Sequence, residues 1–240
     1  MTSKTTTVNF AKKTIWLTCL LSSLAHSAPR PSHSPNIRVC AHTAKPILGF
    51  DISAFQPSED WSVVKSDGVQ FTFIKATEGI HTINSKFDDQ WSSALSYGFA
   101  AGPYHFFHPK EDPMAQVEHF LNKVGDLTNN NLPPVLDWEI HEGIVPTVQV
   151  KRALTWLKAV EKATGLRPII YTGPKFWNAL GNPQGFDKYP LFIAHHGVAC
   201  PEIPPPWSDW MFWQASLGPL EGVNAKVVDL DKFNGFELPL

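Results

Sequence analysis

The chain has 240 residues, of which 43% are hydrophobic and 18% charged, and its formal net charge is −2. This composition is too apolar for an intrinsically disordered chain and too varied for a coiled coil or a collagen. Near-neutral charge provides no basic field, which argues against nucleic-acid binding through phosphate contacts. The nine tryptophans suit either a surface that stacks on sugars or a Trp-rich core.

The N-terminal end predicts an export signal. Lys12 and Lys13 precede the apolar stretch 14–25, and small residues stand at the two positions that a signal peptidase reads. We predict cleavage after Ser27, so that residues 1–27 are removed and the protein is secreted or periplasmic. The apolar stretch is well below the roughly 20 residues that span a bilayer, so no membrane anchor is expected.

The segment 28–45 is rich in Pro, Ser and His and has little apolar periodicity, which predicts a flexible leader ahead of a single domain over 46–240. Cys40 and Cys200 are the cysteines that remain after cleavage, and an oxidising compartment favours a disulfide between them. Sequence cannot place their Cα atoms within bonding range, so two free thiols are an equal alternative. Neither has a partner at metal-ligand spacing, and no metal site is expected.

Beyond residue 45, short β-rich runs alternate with helical patterns, which favours parallel βα units closed into a barrel. The β-rich runs cover 47–53, 70–77, 100–107, 134–139, 168–172, 191–195, 210–215 and 226–230. The helical patterns cover 59–66, 86–97, 113–124 and 147–164. The gaps between the last three runs hold about a dozen Pro-rich residues, too few for a crossover helix. The expected fold class is therefore α/β, an irregular TIM-like (β/α) barrel with eight strands and helices missing after the last strands.

Four carboxylates fall at the predicted ends of strands. Asp51 ends the first run, Asp137 and Glu139 end the fourth, and Asp229 ends the eighth. Active groups of a parallel barrel collect at the carboxyl ends of its strands, so these side chains are expected to share one site. Asp137 and Glu139 are two residues apart and point to the same face, where repulsion and partial burial should raise one pKa.

A proton-holding acid beside an ionised partner is the arrangement that glycoside hydrolysis requires. A surface acidic pair that closes a strand has the same pattern, so the carboxylates alone leave both interpretations open. Lys75 and Glu78 look catalytic as well, although a structural ion pair or a rim contact is the expected role. His195 and His196 adjoin on a strand and point to opposite faces, so one metal is not expected to take both.

Seven short motifs follow one another along the chain and are specific as a set. In order they are GFDIS at 49–53, FIKATEG at 73–79, GPYHF at 102–106, LDWE at 136–139, IYT at 170–172, FWQ at 212–214 and VDL at 228–230. Together they resemble glycoside hydrolase family 25, the lysozymes (muramidases) of fungi and phages, over about residues 47–236. The chain departs from the family pattern at Phe192 and His196, where Trp and Tyr are expected, and at Asp231, where Asn is usual.

The resemblance implies a secreted lysozyme that hydrolyses the β-1,4 bond between N-acetylmuramic acid and N-acetylglucosamine in peptidoglycan. It implies that Glu139 is the general acid and that Asp137 stabilises an intermediate or orients the 2-acetamido group of the substrate. Asp51 and Asp229 are then expected to shape the electrostatics and to hydrogen-bond the sugar or the attacking water.

Three aromatic residues are further candidates for the site. The resemblance implies that Tyr104 and Tyr171 contact the acetamido group and that Trp213 is a stacking platform for a sugar, although each also fits a barrel core. The expected partner is the peptidoglycan glycan strand, with no nucleic acid, no cofactor and a monomeric state. Two alternatives remain, a barrel that binds glycans without hydrolysing them and a chitinase-like enzyme.

Overall fold

The computed structural model describes residues 1–2 and 35–240, and residues 35–240 belong to one compact unit. The predicted export signal and its cleavage site lie outside the described residues. Within the described part of the chain, no helix is both long enough and apolar enough to cross a membrane.

The described residues contain eleven strands and five helices. The strands are β1 Ile37–Arg38, β2 Ile47–Ile52, β3 Val69–Glu78, β4 Thr82–Ile83, β5 Ala100–Phe106, β6 Val135–Asp137, β7 Ile169–Thr172, β8 Leu191–Ala194, β9 Glu202–Ile203, β10 Phe212–Gly218 and β11 Val228–Phe233. The helices are α1 Trp61–Ser66, α2 Phe87–Ser96, α3 Pro113–Val124, α4 Pro146–Thr164 and α5 Pro174–Ala179. All eight predicted strands and all four predicted helices are present. Helix α5 was missed, although Pro174 at its first position is a residue type that helix starts favour.

Eight strands close the predicted barrel. Their order is β2, β11, β10, β8, β7, β6, β5 and β3, and β3 pairs with β2 to complete the ring. Among residues 35–240 no helix lies between β8 and β11, as expected from the short gaps. The irregular α/β barrel is therefore confirmed.

One strand runs against the expectation of parallel βα units. Strand β11 is antiparallel to both of its neighbours, β10 and β2. The connection over 219–227 is too short for a crossover, so the chain turns back and descends beside β10. Asp229 is consequently near the beginning of its strand and not at its end, but it still reaches the rim of the barrel, because it pairs with Asp51.

Strand alternation divides the aromatic residues between two cores. A cluster of phenylalanines fills the lumen of the barrel, where the ring centroids of Phe73 and Phe212 are 5.0 Å apart. The outer faces of the strands pack against the helices, with Trp138 and Trp156 fully buried. Gly49 is required in the lumen because a Cβ there would come within 2.3 Å of the Phe71 ring. The lumen is thus a packed core, and a ligand has room only at its rim.

The predicted leader is attached to the barrel over its described part, which corrects the expectation of flexibility up to residue 45. Strand β1 pairs antiparallel with β9, and the indole nitrogen of Trp210 donates a hydrogen bond of 2.8 Å to the Val39 carbonyl. Cys40 and Cys200 form a disulfide, with their Cα atoms 4.5 Å apart. Strand pairing and the covalent bond hold this segment although its own composition favours no structure.

Removing the disulfide is expected to lower the free energy of unfolding substantially. The bridge joins residues 160 apart in sequence, and by the chain-entropy model it contributes about 4–5 kcal/mol by restricting the unfolded chain. The measurement is chemical denaturation of the Cys40→Ser/Cys200→Ser double variant beside the parent. Equal midpoints and slopes for the two proteins would contradict the prediction.

Candidate active site

A cavity of about 380 Å³ opens at the rim of the barrel where the parallel strands end. Six of the seven site residues predicted from sequence line it: Asp51, Tyr104, Asp137, Glu139, Tyr171 and Asp229. The structure therefore brings the four carboxylates and the two tyrosines together. Among the described residues, no cluster of three or more His, Cys, Asp or Glu side chains has a geometry that could hold a metal ion.

Strand register determines which side chains reach the cavity. Asp51 lies directly opposite Asp229 across the β2–β11 pair. On the other side of the barrel, Asp137 is the last residue of β6 and pairs with Tyr171 of β7. Glu139 follows two residues later, beyond the end of the strand, and is the more exposed member of the acidic pair.

The acidic pair has an unusual electrostatic environment. Asp137 is only 8% exposed, and its Oδ1 has no hydrogen-bond partner among the described residues. Burial raises the pKa of Asp137 well above its usual range, and the charge of Glu139 adds to the rise, while Lys75 opposes it. Desolvation at the cavity mouth, followed by the charge of Asp229, also raises the pKa of Glu139. Of the two causes expected from the sequence, burial is thus larger than charge repulsion for both carboxyl groups.

The carboxylates on the opposite side are perturbed as well. Burial raises the pKa of Asp51 well above its usual range, and the charge of Asp229 raises it further. Asp229 is more accessible, and its pKa is raised by burial and lowered in part by His196. A site with several carboxyl groups of raised pKa holds protons at a pH where free carboxyl groups have released them.

Gln214 links the two sides of the cavity, and it was missed as a site residue in the sequence. Its side-chain amide nitrogen donates a hydrogen bond of 2.7 Å to Asp51 Oδ2, and its Oε1 accepts one of 2.9 Å from the Tyr171 hydroxyl. His196 Nε2 lies 2.7 Å from the same Gln214 oxygen. Gln214 therefore orients a carboxylate, a phenol and an imidazole at once.

Trp213 does not line the cavity, contrary to the expectation of a stacking platform. It is 3% exposed and packs against Trp210 outside the lumen, with ring centroids 5.7 Å apart. Its indole nitrogen donates a hydrogen bond of 2.9 Å to the His195 carbonyl. Because neighbouring residues of a strand point to opposite faces, only one of Trp213 and Gln214 can face inward. Alternation in the FWQ motif predicts that one of the two residues faces the cavity, but it does not say which one.

Lys75 and Glu78 form the expected structural ion pair, with Lys75 at the cavity wall. Burial by itself would raise the pKa of Glu78, but the hydrogen bond and the charge of Lys75 outweigh it and lower that pKa. His108 and Glu142 extend this ion pair outward. His108 Nε2 lies 3.3 Å from Glu78, and His108 Nδ1 lies 2.8 Å from Glu142. This chain of charges holds the Lys75 ammonium beside the acidic pair.

Asp231 lies below the cavity in the lumen, two residues beyond Asp229 on β11. It is 1% exposed, and neither of its carboxyl oxygens has a hydrogen-bond partner among the residues that the structure describes. Burial raises the pKa of Asp231 well above its usual range, and the charges of Asp51 and Asp229 raise it further. Asp231 therefore holds its proton in the folded protein well above the pH at which an unfolded chain releases it.

Comparisons with known proteins identify the family of this chain. A family model described as "Glycosyl hydrolases family 25" matches residues 50–223. The chain belongs to this family. This family 25 glycoside hydrolase is 36% identical to Lysozyme M1 of Streptomyces globisporus over 201 residues. The aligned stretch covers 79% of this chain and 68% of the relative. It is also 34% identical to an N,O-diacetylmuramidase of Chalaropsis sp over 186 residues, 71% of this chain and 88% of the relative.

A solved structure supports the same assignment. The bacterial lysozyme of Streptomyces coelicolor superposes with a TM-score of 0.76 at 34% identity, over 80% of this chain and 94% of that chain. The irregular barrel of this family 25 hydrolase is thus shared with a lysozyme over nearly the whole of that structure.

Replacing Asp231 with Asn is expected to stabilise the protein at neutral pH. Because the folded-state pKa is raised, the parent loses stability as pH rises from about 4, where unfolded Asp releases its proton, toward that raised pKa. Asn does not titrate and so lacks this pH dependence. The free energy of unfolding of the variant should therefore exceed that of the parent by about 1–3 kcal/mol at pH 7 and by much less at pH 4. Thermal melts across this pH range measure the gain, with Asp126→Asn, an exposed aspartate, as the control. Parallel curves for parent and Asp231→Asn would refute the prediction.

Proposed function

We propose that this glycoside hydrolase is an N-acetylmuramidase that cleaves the β-1,4 bond between N-acetylmuramic acid and N-acetylglucosamine in peptidoglycan. The observation that carries the proposal is the convergence of four carboxyl groups with raised pKa values on one cavity at the barrel rim. Family membership and relatives named lysozyme and N,O-diacetylmuramidase support the substrate class.

Glu139 is the general acid in this proposal. Its position at the cavity mouth makes its carboxyl group accessible to a bound glycan, whereas Asp137 is buried behind it. The raised pKa of Glu139 retains a proton that can be transferred to the glycosidic oxygen as the bond to the leaving sugar breaks. Lys75 opposes this rise and keeps the pKa of the acid from climbing further.

Asp137 is the carboxyl group that supplies negative charge close to the anomeric carbon, once it has released the proton that its burial favours. In the ionised state it stabilises the positive charge of an oxocarbenium-like transition state, or it orients the 2-acetamido group if that group attacks the anomeric carbon. Tyr171, its neighbour across the β6–β7 pair, supplies a hydroxyl at the same wall, and Tyr104 lines the cavity beside them. Both phenols remain protonated, because burial and the surrounding carboxylates raise their pKa values well above the usual range.

Asp51 and Asp229 have supporting roles on the other side of the cavity. The hydrogen bond from Gln214 holds Asp51 in one orientation, and backbone pairing places Asp229 beside it. In these positions the two carboxyl groups can hydrogen-bond the sugar and the attacking water. The assignment explains why Gln214 is buried although it belongs to a polar residue type.

The Glu139→Gln variant is expected to lose about 10²–10⁴-fold in turnover while remaining folded, because Gln cannot donate the proton. Asp137→Asn should lose about 10²–10³-fold, because it removes the charge that stabilises the transition state. Smaller losses are expected for Asp51→Asn and Asp229→Asn. The measurement is the rate of peptidoglycan cleavage, with mass analysis of the released fragments.

Glu78→Gln is the matched control for these variants, since Glu78 is a nearby carboxylate engaged in a structural ion pair. It should lose far less activity than Glu139→Gln, and thermal melts show whether each variant is folded. Near-parental activity of a folded Glu139→Gln variant would mean that the acid is assigned wrongly. A parent that binds glycan and never cleaves it would instead favour a non-catalytic barrel.

We further propose that the protein acts outside the cytoplasm after removal of residues 1–27. The basic and apolar pattern of this segment supports export, and the Cys40–Cys200 disulfide is typical of an oxidising compartment. N-terminal sequencing of the exported protein should give Ala28 as the first residue. Detection of Met1 or Thr2 as the first residue would refute the proposed cleavage.

A further inference from the structure

An exposed aromatic ring stands at the edge of the active-site cavity. Phe55, in the loop after β2, is 87% exposed and lines the cavity. It also lines a neighbouring surface groove, together with Gln56, Pro57 and residues 223–227. Phe55 and Gln56 line both the cavity and the groove, so the two lie side by side at this loop.

Hydrogen bonds restrain the loop backbone that carries this ring. The Ser53 amide donates a hydrogen bond of 2.8 Å to the side chain of Gln56, and the Phe55 amide donates one of 3.3 Å to the Ser53 hydroxyl. The Lys86 ammonium donates a hydrogen bond of 2.5 Å to the Gln56 carbonyl. These bonds restrict the backbone from which the ring projects, which lowers the entropic cost of binding a ligand there.

The groove beyond Phe55 also has fixed walls. The loop after β2 and the loop between β10 and β11 are joined by backbone hydrogen bonds, from Asp60 to Gly222 at 2.6 Å and from Asn224 to Ser58 at 2.9 Å. Two exposed apolar side chains extend the surface around Phe55. They are Leu217, 53% exposed at the cavity wall, and Val227, 52% exposed in the groove.

The chemistry of this surface suits a pyranose ring. A sugar offers an apolar C–H face that packs on an aromatic ring, while its hydroxyl and acetamido groups remain in water or meet polar side chains. Asn224 supplies an amide and Lys226 an ammonium group along the same groove. An ammonium group also pairs with the lactyl or peptide carboxylates that N-acetylmuramic acid units carry.

We propose that a sugar unit away from the cleavage point stacks on Phe55, so that the glycan strand continues from the cavity into the groove. The inference rests on the proposed muramidase function and extends it from a single bond to a binding site for several sugars. The protein would then prefer long glycan strands over short fragments, because only long strands reach both the acidic pair and Phe55.

The test is calorimetric binding of peptidoglycan oligosaccharides to a Glu139→Gln background, in which hydrolysis does not interfere. Adding Phe55→Ala should weaken binding of an octasaccharide of four repeats about tenfold and leave binding of a single disaccharide repeat unchanged. Phe55→Trp should retain the affinity of the background. Phe236→Ala is the matched control, since Phe236 is 85% exposed and follows the end of β11 that pairs with the beginning of β2.

Three results would overturn the proposal. Either the octasaccharide binds Phe55→Ala as tightly as the background, or affinity falls equally for both oligosaccharides, which would place Phe55 at the cleavage point. Failure of the octasaccharide to bind the background would overturn it as well. The proposed hydrolysis is judged separately, from cleavage of peptidoglycan by the parent, so the two conclusions can fail independently.

Discussion

The placement of β11 between β10 and β2 is the constraint on which the site depends. It closes the barrel and sets Asp229 opposite Asp51, so that two carboxylates from opposite ends of the chain share one rim. Because β11 is antiparallel, Asp229 reaches the rim from the beginning of its strand. The same strand carries Asp231 into the lumen, so closure also buries a carboxyl group whose two oxygens have no hydrogen-bond partner among the described residues.

The site places several carboxyl groups against an apolar core, and its chemistry follows from the desolvation of these groups. The phenylalanine-filled lumen below the cavity desolvates the carboxyl groups and raises their pKa values. Lys75 moderates this effect on the acidic pair and is itself held by Glu78, while the Gln214 side-chain amide binds Asp51. The proposed acid, Glu139, is the member of the pair that remains accessible, as proton transfer to a bound glycan requires.

Two loops joined by hydrogen bonds form a second surface beside the carboxyl groups. The backbone bonds between the loop after β2 and the loop before β11 stabilise a groove that begins at Phe55. The antiparallel return of β11 brings these two loops together, because it sets the short connection after β10 beside the end of β2. Closure of the barrel thus shapes both the catalytic cavity and the surface on which a longer glycan is proposed to lie.

The sequence by itself determined the eight barrel strands, four helices and the gathering of Asp51, Asp137 and Glu139, because period-two runs and strand-end carboxylates are local signals. Tertiary structure decided the direction of β11 and the attachment of the segment around Cys40, since both depend on partners far along the chain. It also decided that Trp213 packs outside the lumen while its neighbour faces the cavity. A strand's alternation predicts that adjacent residues differ in facing, but only the packed barrel defines which face is inside.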